Sequence, residues 1–288
     1  MVVSEALEQA IKSVRPLPTV AQRILALVQD PEYRIDDLVA LVRTDPSLVA
    51  RVLRLCNSAR QGLEHPLTSI TDAIAYLGTR NLLQLVLVSC STATFATVNP
   101  SSWTDPGRLW RHAVATAVLC QFFARSHGEA NEATAFTLGI LHGIGGVAFA
   151  TLAADDRIAR ALAAHGDTPR DGCQLEVACF GADHAELAGR LALRWQLPRS
   201  LVTGLAGHHE ARVLAGDDPL PALLHLADRT AGQLGFAATG FPLRHDLDAA
   251  ALTRLRTDPK QVAALLPAAT AAITAATELL NLGAAASR

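Results

Sequence analysis

Asp45-Pro46-Ser47-Leu48-Val49-Ala50-Arg51-Val52-Leu53-Arg54-Leu55-Cys56-Asn57-Ser58 opens on a helix start and closes on a helix stop. An aspartate N-cap before proline satisfies orphan amides and presets φ for the first turn. Leu48, Val49, Val52, Leu53 and Cys56 then recur at helical spacing and make one apolar face, which Asn57-Ser58 ends. The same punctuation stands at Asp30-Pro31, Asp218-Pro219 and Asp258-Pro259, and each pair predicts a helix start. Thr71-Asp72 opens a short helix that Gly78 ends, and Thr79 caps a long apolar helix through Leu87. No stretch alternates apolar and polar residues between hairpin turns. The expected fold class is all-α, with no sheet.

Composition agrees. Half of the 288 residues are apolar, aromatics are few, and alanine and leucine dominate. Those two lose little side-chain entropy in a helix. The net charge of −2 and the lack of any basic run argue against nucleic acid as a partner. Cys56, Cys90, Cys120, Cys173 and Cys179 are odd in number and have no C-x-x-C spacing, which predicts packing thiols in a reduced compartment. Two apolar stretches, Leu82–Val98 and Ala263–Ala286, contain Gln84 with Ser and Thr, and Pro267, Glu278 and Asn281. Both are expected as buried helices rather than membrane spans. Glu5 and Glu8 stand where an export signal would need an apolar core, so the expected location is the cytoplasm, with no membrane partner.

The clearest break is Asn99-Pro100-Ser101-Ser102-Trp103-Thr104-Asp105-Pro106-Gly107. It divides an N-terminal helical lobe, 1–103, from a second helical lobe with a C-terminal extension, 104–288. Ala215–Leu220 is a softer break, and Gly235–His245 reads as an ordinary surface loop.

Residues capable of chemistry gather after the break. His112 lies within a helix, and His142 precedes Gly143-Ile144-Gly145-Gly146. His184 follows Asp183 near a helix start, His208 and His209 are adjacent, and Asp228 closes Leu223-Leu224-His225-Leu226-Ala227. Neutral imidazoles with a carboxylate, projecting from separate helices, suit a divalent transition metal. Any one such histidine, taken alone, is more often a hydrogen-bonded core residue. Adjacent histidines in a helix point about 100° apart, so His208 and His209 share a site only at a helix end or in a loop. His225 is read as packing or as support for a ligand; His65, His127, His165 and His245 are read as solvated surface.

The order Leu17-Pro18-Thr19, Asp45-Pro46-Ser47-Leu48, Arg54-Leu55-Cys56-Asn57-Ser58, Ser69-Ile70, Ala73-Ile74 and Leu77-Gly78 resembles the HDOD family, the HD-related output domains of bacteria. The match runs from about Val14 to about Leu214. It implies an HD-domain-like helical lobe with an additional N-terminal helical lobe, related to HD and HD-GYP phosphohydrolases. In those enzymes histidines and a His-Asp doublet bind one or two metals. By resemblance, His112 takes the first ligand place and His142 the doublet histidine. His184, His208, His209 and Asp228 take the later ligand places. Gly143 stands where the doublet has aspartate, Arg108 where a glutamate can stand, and Gly146 where the motif has lysine. Arg108 is expected to bring a cation near the site, and Glu186 or Glu210 are the nearby carboxylates that could fill the gap at Gly143.

The resemblance therefore implies a non-catalytic signal-transduction module acting through a protein partner. One divalent transition metal (Fe, Mn, Zn or Ni) or a nucleotide would tune it at His112, His142, His184, His208, His209 and Asp228. The alternative is a metal-dependent phosphohydrolase acting on a nucleotide or cyclic dinucleotide. The extension, 215–288, would complete the core or receive the input.

Overall fold

The computed structural model describes residues 2–28, 30, 32–58, 66–96, 98, 105–152, 170–239 and 243–284. It is built from helices. The first half carries α1 (Val2–Ser13), α2 (Thr19–Leu27), α3 (Ile35–Arg43), α4 (Pro46–Ser58) and α5 (Ile70–Phe95). Then come α6 (Pro106–His127), α7 (Glu132–His142), α8 (Ile144–Phe149), α9 (Gly172–Phe180), α10 (His184–Arg194) and α11 (Arg199–Gly207). The chain continues through α12 (Ala211–Leu214), α13 (Pro219–Gln233), α14 (Ala249–Arg254) and α15 (Pro259–Ala284). Against the expectation of no sheet stands one small exception. Arg170–Asp171 (β1) pairs in parallel with Leu243–Arg244 (β2), a two-residue contact.

Local chemistry explains most helix starts. Asp45 Oδ1 accepts the amides of Ser47 (2.9 Å) and Leu48 (3.1 Å). Asp218 accepts Leu220 N (3.0 Å), and Asp258 accepts Lys260 N (2.8 Å) and Gln261 N (2.9 Å). Each such cap contributes about 1 kcal/mol. Asp105-Pro106, read above as part of a break, also opens a helix, because Asp105 accepts Arg108 N at 2.6 Å. Asp30 does not. Its Oδ1 accepts Glu32 N at 2.9 Å and closes a turn, and α3 starts later, after Arg34. Aspartate bonds its own downstream amide as readily in an Asx turn as at a helix start. Pro31 lies outside the described residues.

The cap of α5 is Ser69, which accepts Asp72 N, rather than Thr71 or Asp72. Gly78, at φ +76° and ψ 162°, breaks that helix where the sequence predicted a stop. Only glycine holds such a backbone cheaply. Thr79's side chain lies outside the described residues. Asn57 closes the loop after α4: its side chain donates to Leu67 O (2.9 Å) and accepts Leu67 N (2.7 Å).

The core runs without interruption from Leu7 to Ile273. The boundary expected at 103/104 falls largely on residues outside the described set, and α5 packs on α6, α7 and α8 across it. The closest helix approaches use glycine. A Cβ on Gly139 would strike the Ala117 backbone, and one on Gly145 would strike the His184 carbonyl. α15, expected as buried, is mostly exposed over 259–276, where it buries Val262, Ala269 and Ile273 and half-buries Leu265, Ala272 and Ala276 against the core. Alanine is small enough to face water at little cost, so its abundance does not mark burial. Among the described residues one stretch, Glu132–Phe149, is long and apolar enough to cross a membrane, and 83% of it is buried inside the fold.

Candidate metal centre

Four helices and one helix end deliver the candidate side chains. His112 sits within α6, His142 ends α7, His184 starts α10 and Asp228 lies in α13. His208 and His209 follow α11 directly. Because the chain leaves the helix there, both rings turn to one side, with centroids 4.1 Å apart. All six residues converge. His112 Nε2 is 2.9 Å from His142 Nε2 and 3.1 Å from Asp228 Oδ1. His184 Nε2 is 3.2 Å from His208 Nε2 and 3.1 Å from His209 Nε2. Asp228 spans the two sets, since its Oδ2 lies 3.7 Å from His209 Nε2.

The far side of each ring shows which nitrogen holds the proton. Nδ1 of His112 donates to Phe236 O (2.6 Å), that of His142 to Gly139 O (2.6 Å) and that of His208 to Leu205 O (2.8 Å). Carbonyls only accept, so these three rings carry Nδ1–H and present bare Nε2 lone pairs to one another. His184 likewise donates its Nδ1–H to a fixed acceptor, Glu176 Oε2, at 2.7 Å. Lone pairs facing each other and a carboxylate at 3 Å need a cation between them, either an extra proton or a metal ion. Carbonyl- and carboxylate-oriented imidazoles are the usual surroundings of a bound metal. Two sets fit one: His112, His142 and Asp228, and His184, His208, His209 and Asp228, with donor atoms within 4.8 Å of one another.

Burial, then the neighbouring His112, pushes the His142 imidazole down to about 3. Burial also pulls His184 down, but the Glu176 carboxylate outweighs it and lifts the ring to about 9. For Asp228, burial would raise the carboxyl, but the adjacent His112, then His209 and Arg229, outweigh it and hold it well below its usual range.

The two glycines that depart from the hydrolase pattern line the cavity beside the histidines and have apolar side chains close by. A Cβ on Gly143 would lie 3.1 Å from two carbons of the Phe95 ring and 3.4 Å from Ala113 Cβ. One on Gly146 would lie 2.9 Å from Leu109 Cδ1. Phe95 comes from α5 and meets Trp110 edge-on, with centroids 5.2 Å apart. Arg108, expected to bring a cation near, is exposed on the first turn of α6, and Glu186 and Glu210 are exposed as well.

The charged residues beside the site are others. A cavity of about 60 Å³ next to the histidines is lined by Glu176, Arg229, Cys173, Thr239 and His245 among others. Arg229 donates to Asp171 Oδ2 (2.9 Å) and meets His209 Nδ1 (3.3 Å). His245, read above as solvated surface, stacks on Gly232, and the expected surface loop delivers it with Phe236 O and the buried Thr239. The β1–β2 pairing holds that segment in place. His127 is half-buried and donates to Phe123 O (2.8 Å) rather than to solvent. His225 is buried, donating to His208 O (2.8 Å) and accepting Asp248 N (3.0 Å), so it supports the His208 backbone. His65 and His165 lie outside the described residues.

Known proteins share this architecture. An HDOD domain protein of unknown function from Geobacter sulfurreducens is 24% identical, with 96% of this chain and 97% of that one aligned at a TM-score of 0.74. A Shewanella amazonensis SB2B protein carrying a phosphohydrolase name is 24% identical over 95% and 98% of the chains, at 0.63. A Marinobacter aquaeolei VT8 protein carrying a signal-transduction name is 20% identical over 98% and 66%, at 0.73. A Treponema pallidum protein without an assigned function is 27% identical over 208 residues, and this chain spans 40% of its length. The HDOD domain pattern itself matches residues 14–211, from the end of α1 into α12, and takes in every histidine of the convergent set. The chain belongs to the HDOD family.

Proposed function

We propose that this chain is a non-hydrolytic signal-transduction module that keeps a metal centre and acts through a protein partner. One observation carries the reading: Gly143 brings no carboxylate beside His142, and a Cβ there would already press on the Phe95 ring at 3.1 Å. Gly143 and Gly146 line the cavity beside the histidines without offering a ligand atom, and Phe95, from α5, backs that wall. A divalent transition metal (Fe, Mn, Zn or Ni) would be held by His112, His142, His184, His208 and Asp228, and would supply Lewis acidity there. The signal-transduction name of the Marinobacter relative and the HDOD membership support a regulatory role.

A second reading has its own observation. The two oxygens of Asp228 face different histidine sets, so one carboxylate could do the bridging that position 143 no longer does. That favours a phosphohydrolase acting on a nucleotide or cyclic dinucleotide, the class named for the Shewanella relative.

The experiment separates them. Metal-loaded protein is assayed against cyclic dinucleotides and a chromogenic phosphodiester, with metal content measured on the same sample. The proposal expects bound metal and no turnover. Turnover by the native chain that vanishes in His142→Ala would establish the hydrolase instead.

A further inference from the structure

On the opposite side of His184 from the other histidines, around its Nδ1, lies a second group of donors. Asp171 Oδ1 accepts the amides of Cys173 (3.0 Å) and Gln174 (3.2 Å) and so starts α9. Cys173 and Glu176 stand three residues apart, on one helix face. Both line the cavity. Glu176 is buried, and its Oε2 accepts both the amide of His184 (2.8 Å) and its Nδ1–H (2.7 Å). Donor atoms of Cys173, Glu176 and His184 all lie within 4.8 Å of one another.

We propose that Cys173, Glu176 and Nδ1 of His184 form a second cation position, sharing that imidazole with the histidine centre and suited to a thiophilic divalent ion such as zinc. Sulfur, nitrogen and carboxylate oxygen are the donors zinc takes, with bonds of about 2.0–2.3 Å. Tetrahedral ligand pairs at those lengths stand roughly 3.5 Å apart, so modest side-chain adjustment closes the set. Three protein ligands beside an open cavity leave the fourth place for water or a small ligand, the arrangement of non-structural zinc sites. Burial, then Glu176 and Asp171, push the Cys173 thiol far up, so the metal itself must displace the thiol proton. Ligation breaks the S–H bond of Cys173 and the Nδ1–H bond of His184, passes both protons to solvent and leaves each electron pair on the metal; no electron is transferred.

Among the cysteines whose side chains are described, Cys90, Cys120 and Cys179 are buried, and Cys173 is half-buried at the cavity; peptide mass spectra tell it apart from Cys56. Cadmium is the probe, because its thiolate complexes absorb in the ultraviolet by charge transfer from sulfur. Titration of the full chain is expected to produce that band, and to protect Cys173 from iodoacetamide in peptide mass spectra. Cys173→Ser removes the band. The His112→Ala/His142→Ala variant keeps it, which separates this position from the histidine centre. The alkylation result needs no variant, so a poorly folding substitution leaves the test intact. A native chain without the band, or a band that survives in Cys173→Ser, overturns the proposal. Neither result depends on whether phosphodiesters are turned over.

Discussion

The metal centre has two unlike walls. Around Gly143 and Gly146 it is apolar: Phe95, Ala113 and Leu109 stand where a hydrolase would place a carboxylate and a lysine. Around His184 it is charged and tied down: Glu176 holds the imidazole, and Asp171 holds Arg229. The difference separates packing from orientation: glycines and apolar side chains make one side, while the other holds hydrogen bonds of the kind that orient imidazoles as ligands.

The largest expected effect lies where the walls meet. Gly145 follows the apolar wall and presses on the His184 carbonyl, which starts the charged one. A methyl group there has no side chain to displace, only backbone. Gly145→Ala is expected to cost about 3 kcal/mol or more, read as a fall in denaturant midpoint, with metal content lost in parallel. A variant as stable as the native chain would mean that the walls are not rigidly joined.

The apolar wall is tested next. Gly143→Asp buries a carboxylate against the Phe95 ring and is expected to destabilise by about 1–3 kcal/mol without gaining phosphodiesterase activity. Adding Phe95→Ala makes room for that carboxylate, and the double variant should bind metal more tightly than either single one. If Gly143→Asp alone is stable and active, the wall is softer than its packing indicates.

The charged wall gives a smaller effect. Glu176→Gln keeps the shape but loses the charge that orients His184. Metal affinity should fall about 10–100-fold, measured by competition with a chelator, with the thermal midpoint of the metal-free protein little changed.

The helices and the family were legible because their signals are local. Asp45 does within three residues what its type suggests, and the Leu17 to Gly78 order lies in one continuous stretch. Of the site, the histidines and Asp228 were legible as types, but the charged wall was not. Glu176 is a lone acid in an apolar run, and its role appears only when the turn at Gly181 brings the His184 amide back to it. His245 and Phe236 reach the site through a pairing between residues some seventy positions apart. Nothing in the composition of Gly235–His245 distinguishes it from a surface loop.

The finest distinction lies between the two adjacent histidines, and it gives the smallest effect. His208 donates Nδ1–H to Leu205 O, which leaves Nε2 bare and able to bind a metal. His209 is built the other way. Its Nδ1 faces Arg229 Nη2 at 3.3 Å, and a guanidinium has only donors, so the ring proton is on Nε2. That Nε2–H points at His184 Nε2 (3.1 Å) and towards Asp228 Oδ2 (3.7 Å). On that reading His209 is a hydrogen-bond donor to the candidate ligands, although its donor atom also lies within the second convergent set. His209→Gln, whose amide can still donate, should cost the metal about 0.5–1 kcal/mol, the net worth of one hydrogen bond. His208→Gln removes a ligand and should exceed the roughly 10–100-fold loss of an orienting partner. Nitrogen NMR of the metal-free protein reads the tautomers directly: Nδ1–H for His208 and Nε2–H for His209. If His209 carries its proton on Nδ1, or if its glutamine variant loses metal as completely as that of His208, then Arg229 does not set the tautomer and both histidines are ligands.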